Sequence, residues 1–426
     1  MLGFLVRLAA ASAAGLATPR FGDWDAFVSG ARSIASTGAY PDRTTYFFFE
    51  APGYPFYLAA ATLGHPESIA RDKIASAAAG AAAAPLLAWI SLALFGSRRI
   101  ALATGIAGAL LPSFVLFSSD VQSESLFLPL LLAAAALLLA AADRSAAGLG
   151  AADRRSAWLG VADRSAVGLA LAAGGCLAAA ALTRPSALAL APLLLAPLAD
   201  RRSPPRARRR LALAAAAGFA AALAPWTIRN ALHFGELLPV SDGLGATFFD
   251  GNSVWANRIY ALEDRRDVAP MNAAMHADRV ARLAALGIVP GTEAFRSPSR
   301  RSWALILAAL EDRRADPAGT RLLLARKIWH WLRPYPTPFW GWPIVLSATL
   351  FYLALYAAAA AGMATAVRRG TVWFSLAVLA ISMAVHLAIL VLWRYRVPYW
   401  DPILLLYSVP AAGRWLAGRA TGRSLA

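Results

Sequence analysis

Long apolar runs, separated by short polar segments, dominate the hydropathy pattern of this chain. A helix that crosses the ~30 Å hydrocarbon layer of a membrane needs roughly 20 apolar residues, with about 17 as a lower limit. Ten runs meet or approach this length. The pattern therefore predicts an all-α polytopic membrane protein with about ten transmembrane helices, at residues 2–18, 72–96, 100–117, 125–142, 166–183, 185–199, 211–228, 341–366, 371–393 and 401–418.

Arginine clusters fall on alternate connections between these runs, at 98–99, 144–164, 201–210 and 368–369, and again in the C-terminal tail. By the positive-inside rule, that side of the membrane is the cytoplasm. Both termini are then cytoplasmic, and the long connections 19–71 and 229–340 face outward. The sequence thus predicts a multi-pass protein of a bacterial cytoplasmic (inner) membrane.

Two of the predicted spans are weak. The first run is short and carries Arg7, so a signal peptide with small residues near positions 14 to 17 competes with a retained helix. The sixth run is also short, and it meets the preceding run at Arg184-Pro185, where proline removes a backbone donor and bends the chain. The alternative there is a kinked pair that reaches the outer surface only at Arg184.

The spans divide the 426 residues into three parts. Residues 1–228 form an N-terminal membrane module whose first outward loop, 19–71, is the catalytic candidate. Residues 229–340 form an outward segment that is soluble in character, and residues 341–426 form the C-terminal transmembrane helices. At about 110 residues, the middle segment can fold as a small subdomain, either as an acceptor-recognition lid or as a plain cover.

Composition narrows the classes of function. The chain is 59% hydrophobic, with a mean hydropathy of +0.53. A net charge of +17 would suggest nucleic acid in a soluble protein, but these charges cluster between apolar runs and indicate membrane orientation instead. One cysteine, Cys176, excludes an intrachain disulfide framework and a thiolate metal cluster. The five histidines lack ligand-like spacing, so the sequence predicts no certain cofactor and leaves a divalent metal ion open.

Charged residues gather at the outward ends of the predicted spans. The first loop holds Asp23, Asp25 and Glu50, and the turn after the third span holds Asp120 and Glu124. Carboxylates at the edge of a bilayer are costly unless they are paired, solvated or used. We therefore predict that the active site lies at the outward interface of the membrane. The arginines at span ends are predicted to belong to it: Arg184, Arg229, Arg394 and Arg396.

Six short segments resemble motifs of the glycosyltransferase family 39 group of C-type (GT-C) membrane glycosyltransferases, which includes protein mannosyltransferases and aminoarabinose transferases. Each segment alone is common, but the six follow the family order across nearly the whole chain. The resemblance implies a GT-C-like bundle with its active site on outward (periplasmic) loops. The segments are Asp23 with Phe27 and Ala31, Pro52-Gly-Tyr-Pro55, Ser123-Glu124-Ser-Leu-Phe127, Thr183-Arg-Pro185, Pro225-Trp-Thr-Ile-Arg-Asn230 and Arg394-Tyr-Arg-Val-Pro398.

The resemblance also implies a reaction, in which a sugar passes from a polyprenyl-phosphate donor to a glycan, lipid or protein acceptor on the outer face. The first-loop acid of the family corresponds to Asp23, and the acid before the Pro-Gly-Tyr segment corresponds to Glu50. This sequence departs from the family at Phe27, where tyrosine is usual, and at Trp24. Asp25 therefore stays open as an alternative base.

The implied chemistry explains why these residue types are needed. A sugar held by a phosphate ester already has a good leaving group, so the enzyme has to position the reactants and handle charge. A carboxylate that takes the proton of the acceptor hydroxyl is a general base, typically worth ~10²–10⁴-fold. Glu50 and Glu124 can order this base, the sugar or a divalent ion, and Tyr54 is implied in substrate binding. Guanidinium groups pair with phosphate in a bidentate way, which suits Arg184, Arg229, Arg394 and Arg396 to the departing polyprenyl phosphate.

Other interpretations stay open. Asp23 can be a solvated loop acid, Glu124 can be a helix N-terminal acid favoured by the macrodipole, and span-end arginines can snorkel to lipid headgroups. A secondary transporter needs broken or charged helices at mid-membrane and repeated halves, which these runs lack. A polymerase or ligase for a diphosphate-linked glycan fits the same architecture and the arginine-rich segment 229–340. A non-catalytic scaffold also fits alanine-rich spans.

Overall fold

The computed structural model describes residues 1–18, 24–41, 51–62, 68–150, 156–200, 202–262, 268–335, 341–367 and 372–420. Over these ranges the chain is helical and contains no strand. A 3-10 helix spans Pro185–Ala199 between α9 and α10. The α-helices are α1 (Leu2–Ala13), α2 (Trp24–Thr37), α3 (Gly53–Ala61), α4 (Ile69–Ala81), α5 (Ala83–Phe95), α6 (Arg98–Leu110), α7 (Pro112–Ser118), α8 (Glu124–Gly150), α9 (Ser156–Thr183), α10 (Pro205–Phe234), α11 (Leu244–Asn252), α12 (Val254–Leu262), α13 (Val268–Ala285), α14 (Glu293–Arg296), α15 (Pro298–Ala315), α16 (Pro317–Leu332), α17 (Trp342–Val367), α18 (Trp373–Ala388) and α19 (Trp393–Ala420).

The predicted all-α membrane bundle is confirmed, although its spans are not alike. In the described part of the chain, five helical segments are long and apolar enough to cross a membrane. Helices α6 and α7, which meet at a bend of 50°, add a sixth if they form one broken span. The remaining predicted spans fall on α1, the 3-10 helix and α18, which are shorter, and on α19. In the described part of the chain, the segments long and apolar enough to cross a membrane are Ile69–Phe95, Glu124–Ala146, Arg164–Thr183, Pro205–Phe234 and Trp342–Val367.

Proline accounts for the irregular spans. Pro112 follows Leu111 at the bend between α6 and α7, and its ring and missing N–H group prevent α6 from continuing. Pro192 and Pro197 lie inside the 3-10 helix. A 3-10 helix rises about 2.0 Å per residue, so its 15 residues reach ~30 Å, the thickness of the hydrocarbon layer. The sixth predicted span is therefore short in sequence and still long enough in space.

The first helix, α1, packs into the bundle through a buried arginine. Arg7 is fully buried, and its Nε atom donates to the Ser118 hydroxyl of α7 at 2.6 Å. A second guanidinium nitrogen donates to the carbonyls of Gly3 and Ala109, at 2.8 and 3.1 Å. An arginine inside a short apolar run is thus tolerated because two of its guanidinium nitrogens donate to protein groups.

Helices α9 and α10 approach each other closely at two glycines. A Cβ atom at Gly174 would overlap the Ala215 carbonyl of α10, and one at Gly218 would overlap the Leu171 carbonyl of α9. Small residues let membrane helices approach to backbone contact, where van der Waals packing replaces the missing hydrophobic drive. The alanine-rich spans are therefore packing surfaces, and a buried apolar cluster joins α8, α9, α10 and the 3-10 helix.

Helices α11 to α16, which we call the helical insert, lie between α10 and α17. Helices α11 to α15 share a small apolar core that includes Phe249, Met275 and Leu305. The insert also holds the connector between α18 and α19: the Tyr260 hydroxyl donates to the Val391 carbonyl at 3.0 Å and accepts from its N–H at 2.8 Å. The insert is thus docked on the bundle beside the start of α19.

The start of α19 corrects one prediction. The sequence analysis takes the ninth span to residue 393 and places Arg394 and Arg396 just beyond its end. In the structure α18 ends at Ala388, and α19 begins at Trp393. The insert satisfies the backbone of the connector, so the chain leaves α18 early and both arginines lie in the first turn of the last helix.

The close approach of α9 and α10 gives a test with a neighbouring control. Gly174→Ala is expected to destabilise the protein by about 1–3 kcal/mol, because the added methyl group forces two backbones apart. Gly175→Ala is expected to be neutral or stabilising, since a Cβ atom there meets nothing within 4 Å. Thermal unfolding of the two variants in detergent checks this, and equal unfolding midpoints would contradict the described packing.

Candidate functional site

The first loop contains helices α2 and α3 and three candidate acids, of which the structure describes one. Asp23 and Glu50 lie outside the described residues. Asp25 lies in the first turn of α2 and is exposed. An acid in the first turn of a helix is stabilised by the helix dipole, so the position of Asp25 has a structural reason of its own. The roles of the three acids stay predictions.

Glu124 is the centre of a charged cluster that joins three span ends. It begins α8 and is only 4% exposed. Its Oε1 atom lies 2.5 Å from an Arg184 nitrogen at the start of the 3-10 helix and 3.9 Å from the Arg394 Nε atom of α19. These contacts are close in distance, yet neither carboxylate oxygen is aligned for a hydrogen bond with a donor in the described residues. We call these three residues the Glu124 cluster.

The turn that precedes α8 supports both arginines. Arg394 donates to the Gln122 side-chain oxygen at 3.0 Å, and Arg184 donates to the Ser123 hydroxyl at 3.3 Å. Both guanidinium groups also lie against the ring of Tyr395, at 4.8 Å for Arg184 and 5.3 Å for Arg394. Such cation–π contacts orient a guanidinium plane without neutralising its charge.

The Glu124 cluster therefore carries more positive than negative charge. Two guanidinium groups face one carboxylate, and the arginine side chains are 15% and 19% exposed, whereas the carboxylate is nearly buried. The more exposed side chains of the cluster are thus the two cations. This arrangement can bind an anion with planar, multidentate oxygen atoms, and phosphate is the common example.

An apolar cavity of ≈ 140 Å³ lies among the membrane helices. Pro398 and Tyr399 of α19 line it, one helical turn beyond Arg394, together with leucines of α8, α9 and the 3-10 helix. The Tyr399 hydroxyl lies 2.8 Å from the Ser186 hydroxyl, which follows Arg184 by two residues. Tyr399 therefore lines the apolar cavity and also contacts the first turn of the 3-10 helix, which follows Arg184.

Arg396 has different surroundings from Arg394, although only one residue separates them. Its side chain is fully buried, and it donates to the carbonyls of Trp331 and Arg333 at 2.9 and 2.7 Å. These carbonyls close α16, so Arg396 caps the last helix of the insert. Residues two apart on a helix point about 200° away from each other. The predicted phosphate contact of Arg396 stays a prediction, and this geometry disfavours it.

Arg229 and Tyr54 also differ from the sequence-based picture. The Arg229 guanidinium lies 5.2 Å from the Trp226 ring, and that ring packs edge-on against Tyr40, which follows α2, at 5.4 Å. Arg229 is thus near the first loop rather than part of the Glu124 cluster. Tyr54 is fully buried, and its hydroxyl lies 2.6 Å from the Ser76 hydroxyl. Its position is that of a core residue, and its substrate contact stays a prediction.

The sequence analysis did not single out Gln122, Ser123 or Tyr395 as parts of the site. The signal was present, because all three lie within or beside the motif segments that carry Glu124 and Arg394. For a metal ion, the described residues contain no group of three or more histidine, cysteine or acidic side chains. Since Asp23 and Glu50 lie outside those residues, the divalent ion stays an open option.

Comparisons with known proteins place the fold. Neither a protein-family model nor a curated protein sequence matches this chain. Solved structures do match it. The oligosaccharyltransferase AglB from Archaeoglobus fulgidus, in complex with an inhibitory peptide and a dolichol-phosphate, aligns with a TM-score of 0.53 at 16% identity. That alignment covers 99% of this chain and 52% of AglB.

A second structure of the Archaeoglobus fulgidus oligosaccharyltransferase, tethered to an acceptor peptide, gives a TM-score of 0.54 at 14% identity over 99% of this chain and 51% of that one. This chain spans about half the length of both. ArnT from Cupriavidus metallidurans, bound to undecaprenyl phosphate, gives a TM-score of 0.43 at 14% identity over 97% of this chain and 78% of ArnT. The two oligosaccharyltransferase structures show that this chain has the GT-C-like fold of membrane glycosyltransferases.

Proposed function

We propose that this protein is an integral membrane glycosyltransferase that transfers a sugar from a polyprenyl-phosphate donor to an acceptor on the outer face of the cytoplasmic membrane. The observation that carries the proposal is the Glu124 cluster, in which Arg184 and Arg394 share one buried carboxylate. The GT-C-like fold and the first-loop motif around Asp23 support it.

The cluster suits the phosphate of such a donor. The side chains of Arg184 and Arg394 are partly exposed, and each also contacts Glu124. A phosphate that enters therefore restores the charge balance of the two guanidinium groups. Because the site is partly desolvated, these charge-assisted hydrogen bonds are stronger than the same bonds in water. Glu124 thus serves to orient the arginines rather than to take a proton.

The apolar cavity suits the lipid part of the same donor. A polyprenyl chain must leave its phosphate toward the hydrocarbon layer. Pro398 and Tyr399, which line the cavity together with leucines of three helices, follow Arg394 on α19. Burial of apolar chain contributes about 0.8 kcal/mol per methylene group, without any requirement for sequence-specific contacts. The lipid thus adds affinity while the arginines fix the reacting end.

The transfer itself needs one further group, a base, and Asp23 is our assignment. The acceptor hydroxyl oxygen attacks the anomeric carbon and forms the new glycosidic bond, while the bond from that carbon to the phosphate oxygen breaks. The phosphate leaves with the electron pair and is held by Arg184 and Arg394. The hydroxyl proton passes to the Asp23 carboxylate, and the configuration at the anomeric carbon inverts. Glu50 would order the sugar or a metal ion beside this base.

A second candidate is a ligase that transfers a larger lipid-linked glycan. The likeness to oligosaccharyltransferase structures favours it, and the arginine-rich helical insert supplies an additional surface for an extended glycan. Both candidates use a lipid-linked donor and an outward site, but they differ in the donor that accumulates when the protein is absent.

The function is tested by comparing lipid-linked sugars and surface glycans in a strain with and without this chain. A monosaccharide transferase predicts that one sugar is lost from a surface glycan and that its polyprenyl-phosphate form accumulates. Accumulation of a diphosphate-linked oligosaccharide would instead support the ligase. If mass spectrometry finds both lipid and surface pools unchanged, neither transferase is supported.

The assignment of the base is tested by two neighbouring substitutions. Asp23→Asn keeps the size and hydrogen-bonding capacity of the side chain but removes the proton acceptor, so turnover should fall by at least ~10²-fold while the protein stays folded. Asp25→Asn is the matched control and should be milder. Turnover of a synthetic polyprenyl-phosphate sugar measures both. If Asp25→Asn is inactive and Asp23→Asn is active, the general base is Asp25 and not Asp23.

The different surroundings of the two arginines of α19 predict different defects. Arg394→Ala should weaken kcat/KM for the donor by roughly 10- to 100-fold. Its loss of thermal stability should be smaller than that of Arg396→Ala, because Arg184 still pairs with Glu124 and the lost Gln122 contact is only partly buried. Arg396→Ala should lower the unfolding midpoint, since the Trp331 and Arg333 carbonyls lose their donor. If the Arg396→Ala variant keeps its thermal stability and loses only donor affinity, Arg396 binds the phosphate and the capping role is contradicted.

A further inference from the structure

Lys327 is a buried lysine of α16 that contacts the connector between α18 and α19. Its side chain is 2% exposed. The Nζ atom donates to the Asn252 side-chain oxygen at 2.9 Å and to the carbonyls of Leu387 and Ile389 at 3.0 and 3.1 Å. These three acceptors match the three N–H donors of an ammonium group. One cation thus joins helices α11 and α16 of the insert to the carbonyls at the end of α18.

Helix α11 approaches the same connector closely. The Asn252 Nδ2 atom donates to the carbonyls of Ala388 and Ile389, both at 3.0 Å. A Cβ atom at Gly251 would overlap the Ile389 carbonyl, so the two backbones are in contact there. The last carbonyls of a helix have no partner within that helix. For α18, side chains of α11 and α16 supply the donors, and the connector is thereby held by the insert.

Helix α16 also contacts α19 just beyond Arg394. The carbonyls of Trp331 and Arg333 accept from Arg396, and Trp331 lies about one helical turn after Lys327 on α16. Arg394 follows the connector and precedes Arg396 by two residues. It therefore lies between two points at which α16 holds the chain.

We propose that Lys327 is a positioning residue that holds Arg394 at the Glu124 cluster. The inference rests on the proposed function for the role of Arg394 at the donor phosphate. Its physical basis is that Arg394 contacts Glu124 and Gln122 from the first turn of α19, and the insert holds the chain on both sides of that turn. A displaced guanidinium loses the alignment that a charge-assisted hydrogen bond to phosphate needs.

A double-mutant cycle tests whether Lys327 acts through Arg394. The measured quantity is the affinity of the purified protein for polyprenyl monophosphate, by titration in native mass spectrometry. Lys327→Met removes the three donors and should weaken this affinity by about 10-fold when Arg394 is present, as for the loss of one charge-assisted hydrogen bond. In the Arg394→Ala background it should weaken the affinity by less than about twofold, because the group that it displaces is already absent.

The pH of the titration is set by the lysine. Burial and the nearby Arg313 guanidinium lower the pKa of Lys327 to about 7. Binding is therefore compared at about pH 6, where the ammonium form with its three N–H donors predominates.

Two controls separate positioning from a general loss of stability. Polyprenol lacks the phosphate, so its affinity should change by less than about twofold in Lys327→Met. Arg326→Met removes the neighbouring cation of α16, which donates to the Asn257 carbonyl of α12 at 2.6 Å and not to the connector. This variant should have a lower unfolding midpoint, with its monophosphate affinity within about twofold of wild type.

Three results overturn the proposal. Equal losses of monophosphate affinity with and without Arg394 would show that Lys327 acts independently of that arginine. An equal loss for polyprenol would show that the effect does not concern the phosphate. An equal loss in Arg326→Met would show that any weakening of the insert has the same effect.

Hydrogen exchange distinguishes failure of this proposal from failure of the proposed function. If Arg394→Ala binds the monophosphate as tightly as wild type, the assignment of Arg394 to the phosphate site fails. Exchange in peptides that cover residues 389–400 then decides the role of Lys327. It should rise in Lys327→Met and stay unchanged in Arg326→Met, and the same result in both variants overturns the positioning role.

A second variant covers the case in which Lys327→Met does not fold. Asn252→Ala removes two hydrogen bonds to the connector and one acceptor of Lys327, while the lysine keeps its two carbonyl partners. It should weaken monophosphate affinity several-fold when Arg394 is present and by less than about twofold in Arg394→Ala. Equal losses in the two backgrounds overturn the proposal here as well.

Discussion

The cost of burying charge at the edge of a membrane is the constraint on which this structure depends. Glu124 is nearly buried, and an isolated carboxylate there would be strongly unfavourable. Arg184 and Arg394 make it tolerable, and each comes from the end of a different helix. The pairing therefore fixes α8, the 3-10 helix and α19 at one level, and the partial exposure of the arginines leaves positive charge for a ligand.

The same constraint explains the other buried cations of the bundle. Arg7 of α1 donates to carbonyls and to the Ser118 hydroxyl, and Arg396 closes α16. Ala109 near the end of α6, and Trp331 and Arg333 at the end of α16, carry carbonyls left open at a helix end, and these two cations satisfy them. These contacts are structural, and they hold the elements that carry the site. The helical insert takes part, since its contacts with the α18–α19 connector determine where α19 begins.

Sequence was a good guide to the helices and a partial guide to the site. Apolar runs locate the membrane helices because burial in lipid depends on composition and length, and the position of Glu124 at the start of α8 follows from the same pattern. The different roles of Arg394 and Arg396 could not be foreseen, because they depend on where α19 begins, and contacts with a distant segment decide that. The burial of Tyr54 likewise depends on its partner Ser76 in another helix.

The central claim is that the Glu124 cluster binds the phosphate of a lipid. Native mass spectrometry of the purified protein with polyprenyl monophosphate and with the matching polyprenol tests it most directly, since the two lipids differ only in the group that the arginines would contact. We expect a retained complex with the monophosphate and at least ~10-fold weaker retention of the alcohol, as follows from the loss of a charge-assisted contact. Equal retention of both lipids would show that only the apolar cavity binds and would contradict the account.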